Sequence, residues 1–243
     1  MDATSTGQVS WFEFLTPDPT VLEKFYGQLL GWTFESGPGG TDVRILAPGA
    51  ASPMGTLVET DSGGDHLRVA ISSADIAADV AKLVALGASL AGPVTERSAL
   101  LADPRGNAFT LASGPQSAPE FPPRHGSLAW FELGTTEPKS VAAFYTEAFG
   151  WRFEFDENAG AQYYNIFTGP QWPTGGMYDL QPDGPEYLIP AYLVGDVPTL
   201  SEVAETLGGV VEFGPAGCPD GLLYSRVIDP NGNRFEIFSA PGM

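Results

Sequence analysis

The chain carries two copies of one sequence pattern, and this duplication constrains its fold more than any other feature. Between Trp11 and Glu35, 11 of 25 residues are identical to those found 119 positions later, from Trp130 onward. The segments DPRGN, which begins at Asp103, and DPNGN, which begins at Asp229, repeat with an offset of 126. Loop insertions account for the drift in offset. A duplicated sequence predicts a duplicated fold.

Each copy contains a smaller repeat of one strand, one helix and further strands. The first copy opens with a predicted strand from Val9 to Leu15 and a helix from about Asp18 to Leu30, where Gly31 follows as a stop signal. A second strand and helix are predicted at Leu67 to Ile71 and Ala74 to Leu86. Shorter strands are predicted at Val43 to Leu46, Gly55 to Glu59, near Leu100, and Ala108 to Ala112. The pattern indicates an α+β fold of four β-α-β-β-β modules.

The module pattern predicts two domains. Residues 1–8 form an N-terminal tail, residues 9–113 the first domain, and residues 127–240 the second. Residues 114–126 are rich in proline and are typical of a linker.

Composition narrows the classes of function. The net charge is −19 with 11 Lys and Arg residues spread along the chain, so no basic patch favours nucleic-acid binding. No apolar run is long enough to span a membrane, and the first residues lack the basic and apolar parts of a signal peptide. The single cysteine, Cys218, predicts no internal disulfide. We therefore expect a cytoplasmic protein.

Three sets of residues resemble a known superfamily. They are FYGQLLGW from Phe25, FYTEAFGW from Phe144, and the closing pair DPRGNAFTL and DPNGNRFEIF. Together they resemble the vicinal oxygen chelate superfamily, which includes glyoxalase I, bleomycin-resistance proteins, fosfomycin-resistance enzymes and extradiol dioxygenases. More narrowly, the chain is similar to the two-domain glyoxalase-like proteins of actinobacteria. The resemblance implies two domains, each pairing two modules into a curved mixed sheet that encloses a cavity, with helices outside.

The resemblance also implies where a divalent metal would be bound. In the first domain its ligand positions fall on Trp11, on His66 or Arg68, and on Thr110; in the second they fall on Trp130, near Ile189, and on Glu236. Tryptophan cannot ligate a metal, and a stable site needs three or four nitrogen, oxygen or sulfur ligands. We therefore expect that neither domain holds a metal or another cofactor, which argues against glyoxalase I and dioxygenase chemistry.

Strand alternation places glutamates beside these tryptophans. If Trp11 and Trp130 face the cavities, Glu13 and Glu132 face them too. A carboxylate beside an indole and away from bulk water suits general acid–base chemistry. We predict Glu132 and Glu236 as an acid–base pair that approaches across the second cavity, and Glu13 as a catalytic candidate in the first. Alternatively, the glutamates bond an arginine or backbone amides and serve only the structure.

Further residues are predicted to contact a ligand. Tyr192 joins them only if Pro190 faces the cavity, which the sequence leaves open. The full set of predicted ligand contacts is Trp11, Trp130, His66, Arg68, Thr110, Tyr192, Tyr163 and Arg234. For both tryptophans, core packing is the alternative.

The sequence supports three hypotheses for function. The first is a metal-independent enzyme of lyase or isomerase type, which transforms a small, partly aromatic metabolite of secondary metabolism by isomerisation, cyclisation or elimination. The second is a non-catalytic protein that binds a small molecule or antibiotic, as bleomycin-resistance proteins do. The third is a structural or interaction protein with filled cavities. Either a monomer or a homodimer is compatible with the duplication.

Overall fold

A computed structural model describes residues 6–37, 40, 42–61, 66–113, 123–160, 162–169, 171–180, 184–219 and 221–241. Most of the predicted linker and residues 1–5 of the predicted tail lie outside these ranges. Within them, the helices are α1 Pro19–Leu30, α2 Ile76–Ala85, α3 Pro138–Phe149 and α4 Val197–Thr206. The strands of the first half are β1 Val9–Thr16, β2 Thr33–Ser36, β3 Val43–Leu46, β4 Gly55–Glu59, β5 His66–Ser72, β6 Ser89–Val94, β7 Ser98–Ala102 and β8 Ala108–Ala112. Those of the second half are β9 Leu128–Thr135, β10 Arg152–Phe155, β11 Tyr163–Phe167, β12 Gly175–Asp179, β13 Tyr187–Leu193, β14 Val210–Gly217, β15 Leu223–Ile228 and β16 Arg234–Ser239.

The strands form two eight-stranded sheets with the same order. The first runs β2-β3-β4-β1-β5-β8-β7-β6, and the second runs β10-β11-β12-β9-β13-β16-β15-β14. In each sheet the first and last strands of a module pair in parallel, as in β1 with β4 and β13 with β16, while the outer strands pair antiparallel. The predicted α+β fold of four β-α-β-β-β modules is confirmed.

The chain divides into two compact units, and each draws on both halves of the sequence. The first unit comprises Met1–Trp11, Arg68–Gln116 and Trp130–Leu188; the second comprises Phe12–Leu67, Ser117–Ala129 and Ile189–Met243. Each unit has its own buried apolar core, with Ile71 and Phe131 in the first and Phe14 and Phe235 in the second. The predicted domains, residues 9–113 and 127–240, each contain the strands of one sheet. Their boundaries stay a prediction.

The repeated sequence motifs meet in these cores. In the second unit, Tyr26 stacks on Trp32 with ring centroids 4.6 Å apart, and its hydroxyl donates to Asp229 Oδ2 at 3.0 Å. The first unit repeats the arrangement: Tyr145 stacks on Trp151 at 4.6 Å and donates to Asp103 Oδ2 at 3.1 Å. The tyrosine of each FY motif is thus bonded to the aspartate of a DP turn from the other half of the chain.

Burial changes the acidity of these groups. It raises the pKa of Tyr26 and of Tyr145 well above the ordinary value of 10.0, and the neighbouring aspartate charge adds to the effect. Burial also raises the pKa of Asp229 above 3.8, although hydrogen bonds from Asn233, Tyr26 and Asn231 offset part of that rise. Both phenols therefore stay protonated and donate their hydrogen bonds inside the core.

Two strands differ from the sequence-based expectation. The strands β2 and β6 were not predicted; they lie at the two edges of the first sheet and are largely exposed, so they show no apolar alternation. Asp18 occupies the N-cap position of α1, but its side chain makes no capping bond; instead its N–H donates to Thr16 Oγ1. The predicted stop at Gly31 is confirmed by its left-handed conformation, with φ 71°.

Candidate functional site

Strand β9 separates two kinds of side chain onto its two faces. Phe131 and Leu133 lie in the apolar core of the first unit. Trp130 and Glu132 alternate with them and therefore lie on the opposite face. Trp130 is partly exposed, whereas Glu132 retains 6% of its accessible surface. A buried carboxylate of this kind needs a hydrogen-bond partner.

Tyr187 provides that partner. Its hydroxyl donates to Glu132 Oε1 at 2.5 Å, and Tyr187 itself is 4% exposed. A phenol that donates to a buried carboxyl group satisfies one of its acceptor oxygens. The two residues lie on β9 and at the start of β13. They form a buried phenol–carboxylate pair.

Two glycines make room for tyrosine rings beside this pair. A methyl group at Gly134 would overlap the ring of Tyr187, and a methyl group at Gly176 would overlap the hydroxyl of Tyr163. Tyr163 in turn accepts a hydrogen bond from Trp130 Nε1 at 3.1 Å. The glycines therefore let both rings lie against the sheet next to Glu132.

In the second unit, Glu236 is held by an arginine. Arg226 Nε and Nη2 donate to Glu236 Oε1 at 3.2 and 3.0 Å, and the two residues are directly opposite each other on β15 and β16. Glu236 is 3% exposed. Arg234, a predicted ligand contact, instead forms a two-pronged ion pair with Glu212, at 2.7 and 2.5 Å. The ion pair with Arg226 is compatible with the alternative that Glu236 serves only the structure. It is equally compatible with a role for Glu236 in ligand binding.

Tyr192 lies in the core and not beside Glu236. It is in register with Ile237, one residue along from Glu236, and it retains none of its accessible surface. Its ring packs against Phe12 and Trp32, at centroid distances of 5.3 and 4.9 Å. Burial raises the pKa of Tyr192 well above 10.0, and the charge of Asp229 adds to this. The buried position of Tyr192 in the apolar core therefore disfavours its predicted contact with a ligand.

The remaining predicted residues belong to the first sheet. Trp11 and Glu13 are partly buried on β1, and their neighbours Phe12 and Phe14 are in the core, as alternation predicts. On the same sheet His66 is exposed, Arg68 is 9% exposed and Thr110 is 4% exposed. Their roles as ligand contacts stay predictions, as does the approach of Glu132 to Glu236.

Strand register shows that the two sheets have diverged at the site positions. Ala191 pairs with Glu236 as Ala70 pairs with Thr110, which aligns Tyr187 with His66. The same comparison aligns Arg226 with Leu100 and Gly176 with Thr56, and the 119-residue offset aligns Gly134 with Leu15. The phenol–carboxylate pair and its glycines therefore belong to the second sheet alone, among the residues described.

Comparisons with known proteins agree with this architecture. Residues 11–112 match the family described as a glyoxalase-like domain. A protein of Mycobacterium bovis named as a glyoxylase, CFP32, is 26% identical over 245 residues, covering 95% of this chain and 94% of its own. The anthracycline biosynthesis protein DnrV of Streptomyces peucetius is 27% identical over 268 residues, covering 98% and 94%.

Solved structures share the fold. The Mn(II)-bound glyoxalase from Novosphingobium aromaticivorans superposes with a TM-score of 0.67 at 17% identity, covering 97% of this chain and 82% of that one. The 2,3-dioxygenase LapB from Pseudomonas sp. KL28 gives 0.63 at 17% identity, covering 98% and 94%. Residues 11–112 thus match a glyoxalase-like domain, and the whole chain shares the fold of these glyoxalase and dioxygenase structures.

The divalent metal that the resemblance implies does not fit the residues at its expected ligand positions in the second sheet. The ligand positions implied by the resemblance hold Trp130, Ile189 and Glu236 in the second sheet, and Glu236 is already bonded to Arg226. Within the described ranges, no three His, Cys, Asp or Glu side chains come together as a metal-binding group. One carboxylate tied to a guanidinium is a poor donor set for a divalent ion.

Sequence reasoning missed the two residues that bond to the predicted glutamates, Tyr187 to Glu132 and Arg226 to Glu236. Tyr187 lies in the segment EYLIP and aligns with His66 only through strand register, because the loop before β13 differs in length. Arg226 lies on a strand that carried no motif. Among the described residues no helix is long and apolar enough to cross a membrane.

Proposed function

We propose that this glyoxalase-like protein binds a small, partly aromatic metabolite and transforms it by proton transfer, with Glu132 as the acid–base group and Tyr187 as its hydrogen-bond partner. The single observation that carries the proposal is the 2.5 Å bond between Tyr187 Oη and Glu132 Oε1 at a buried position. A carboxylate fixed by a phenol on rigid strands has the orientation that general acid–base catalysis needs.

The proposed proton transfer needs no oxidant or reductant. Glu132 takes a proton from an acidic C–H or O–H of the substrate, and the bonding pair moves into the substrate as an enolate or phenolate. The protonated carboxyl then returns the proton to another substrate atom or to a leaving group. The net reaction is an isomerisation, a cyclisation or an elimination.

The lining and the relatives favour an aromatic substrate. Trp130 and Tyr163 are partly exposed and bonded to each other, and their rings stack well on planar molecules. One relative is named for anthracycline biosynthesis, and this name points to polycyclic aromatic ketones and phenols. The net charge of −19 disfavours a multiply anionic substrate. We further propose that the reaction requires no metal, since the residues at the ligand positions do not suit one.

A non-catalytic binding protein is the second candidate. The partly exposed Trp130 and Tyr163, bonded to each other at 3.1 Å, form an aromatic wall that could hold a flat antibiotic without reacting with it. Binding without turnover is the result that would favour this function.

A paired experiment separates the two. Hydroxylated anthraquinones and related polycyclic ketones are screened by tryptophan fluorescence, in the presence of EDTA, and each binder is incubated in D2O and examined by proton NMR. We expect deuterium to enter an acidic C–H position of a bound ketone, and Glu132→Gln to abolish this exchange while binding persists. Glu154→Gln is the matched control, because Glu154 is an exposed glutamate paired with Arg152. Exchange that survives Glu132→Gln would refute the catalytic role; binding with no exchange in the native protein would favour the binding function.

A further inference from the structure

Arg44 is a partly buried arginine whose side-chain Nε–H makes no hydrogen bond to the residues described. It lies on β3, and its Nε is a buried donor without a partner. Buried polar groups in proteins are almost always satisfied, and a guanidinium is more costly to leave unpaired than a neutral group. The other arginines of the second unit differ, since Arg226 and Arg234 each hold a glutamate and Arg124 donates to a carbonyl oxygen.

Strand register fixes the face on which Arg44 lies. It is directly opposite Thr56 on β4, and Thr56 is directly opposite Glu13 on β1. The alternate residues Ile45 and Leu57 are 0% and 1% exposed in the apolar core. Arg44 therefore shares the face of Glu13 and Thr56, away from the core.

The second sheet shows how the equivalent position is satisfied when it carries no charge. Asn165 opposes Gly176 as Arg44 opposes Thr56, and Asn165 Nδ2 donates to Asp156 Oδ2 at 2.8 Å. In the first sheet a cation has replaced the amide without a carboxylate partner among the described residues. Glu35 lies directly opposite Arg44 on β2 and is exposed, whereas the buried Nε–H of Arg44 has no partner and is left as a donor for a group from outside the chain.

We propose that Arg44 is the recognition group of a binding site for a small carboxylate, on the face of β3, β4 and β1 opposite the core. The Nε–H and one Nη–H of arginine match the two oxygens of a carboxylate in a planar fork. One guanidinium balances one negative charge. A phosphate dianion would leave a charge uncompensated in a protein of net charge −19, so a monocarboxylate fits better.

The site is tested by following the Nε–H resonance of Arg44 in 15N-labelled protein, assigned by its loss in Arg44→Gln. Sodium acetate, sodium benzoate, sodium phosphate and sodium chloride are titrated at constant ionic strength. We expect a saturable shift with the two carboxylates, a weaker response to phosphate and none to chloride. The exposed Arg97 serves as the internal control and should not respond saturably. A shift of Arg44 no larger than that of Arg97 would overturn the site, and a tighter response to phosphate would overturn the carboxylate assignment.

Thermal unfolding gives an independent readout. Acetate and benzoate should raise the melting temperature of the native protein and of Arg97→Gln, but not of Arg44→Gln. Arg44→Lys keeps the charge without the fork and should lose most of the stabilisation. An equal rise in all four proteins would mean that the carboxylate acts elsewhere, and the proposal would be wrong.

Discussion

Tyr26 donates its phenolic hydrogen to Asp229, 203 positions further along the chain, at 3.0 Å. The bond joins the first quarter of the sequence to the last quarter within one buried core. Tyr145 and Asp103 form the same bond in the other unit, so two motifs that are separate in the sequence act as one structural element.

Removing one of these phenolic hydroxyls should destabilise the protein. We expect Tyr26→Phe and Tyr145→Phe each to lower the free energy of unfolding by about 1–3 kcal/mol, because each leaves a buried carboxylate without one donor. Urea denaturation measures the change. Tyr178→Phe is the matched control, since its hydroxyl bonds to Gln162 at a partly exposed position and should matter less. Equal losses in all three variants would contradict a special role for the buried pairs.

Asp229 should make a pH-dependent contribution to stability. Burial raises its pKa in the folded state above the ordinary 3.8, so the folded protein binds this proton more tightly than the unfolded chain does. The contribution of Asp229 is therefore most favourable below about pH 4, near its ordinary pKa, and falls as the pH rises through the raised pKa. The difference in unfolding free energy between native protein and Asp229→Asn, measured from about pH 3 to about pH 7, should decrease with pH. A difference that grows over this range would contradict the assignment.

Gly134 should not tolerate alanine. A methyl group there would overlap the ring of Tyr187, so we expect Gly134→Ala to lower stability by about 1–3 kcal/mol and to break the bond to Glu132. Gly195→Ala is the control, because a methyl group at Gly195 meets no atom within 4 Å. Thermal unfolding and the near-ultraviolet circular dichroism of the tyrosines report the two effects. An unchanged spectrum in Gly134→Ala would show that the ring has room to shift.

Tyr187 and Glu132 should be energetically coupled. Unfolding free energies of Tyr187→Phe, Glu132→Gln and the double variant define a double-mutant cycle. We expect an interaction of about 0.5–3 kcal/mol, as for residues in direct contact. The proton NMR spectrum of the native protein should also contain a strongly downfield resonance from the short bond, which both single variants lose. Additive free energies would argue against a pair that acts together.

Local patterns were enough to predict the modules but not their partners. The strands β3, β4 and β8 have the predicted bounds, and alternation correctly separated Phe12 and Phe14 from Trp11 and Glu13. The short, exposed edge strands β2 and β6 were missed, because their periodicity carries little signal. The bond from Tyr26 to Asp229 was missed since it depends on distant packing, although both motifs are repeated and a turn aspartate beside asparagine is a recognisable acceptor.

The candidate site was predicted only in part, because local sequence patterns identify some of its residues and strand register identifies the others. The repeat identified Glu132 and Trp130, which lie on a strand with a clear pattern. Tyr187 was not found because a loop of different length hides its equivalence to His66, and Arg226 was not found because only cross-strand register places it opposite Glu236. The facing of Tyr192 was left open by the sequence, since it depends on the register of β13 with β16.

Each buried core is built from both halves of the sequence, and this limits where the chain can be cut. Residues before and after the proline-rich segment contribute to both buried clusters, so a cut between residues 113 and 127 would leave each fragment with two half-cores. The gene duplication therefore produced two halves that complement each other and are not independent copies. Fragments 1–119 and 120–243 made separately should stay unfolded, and should regain native structure only when they are synthesised together.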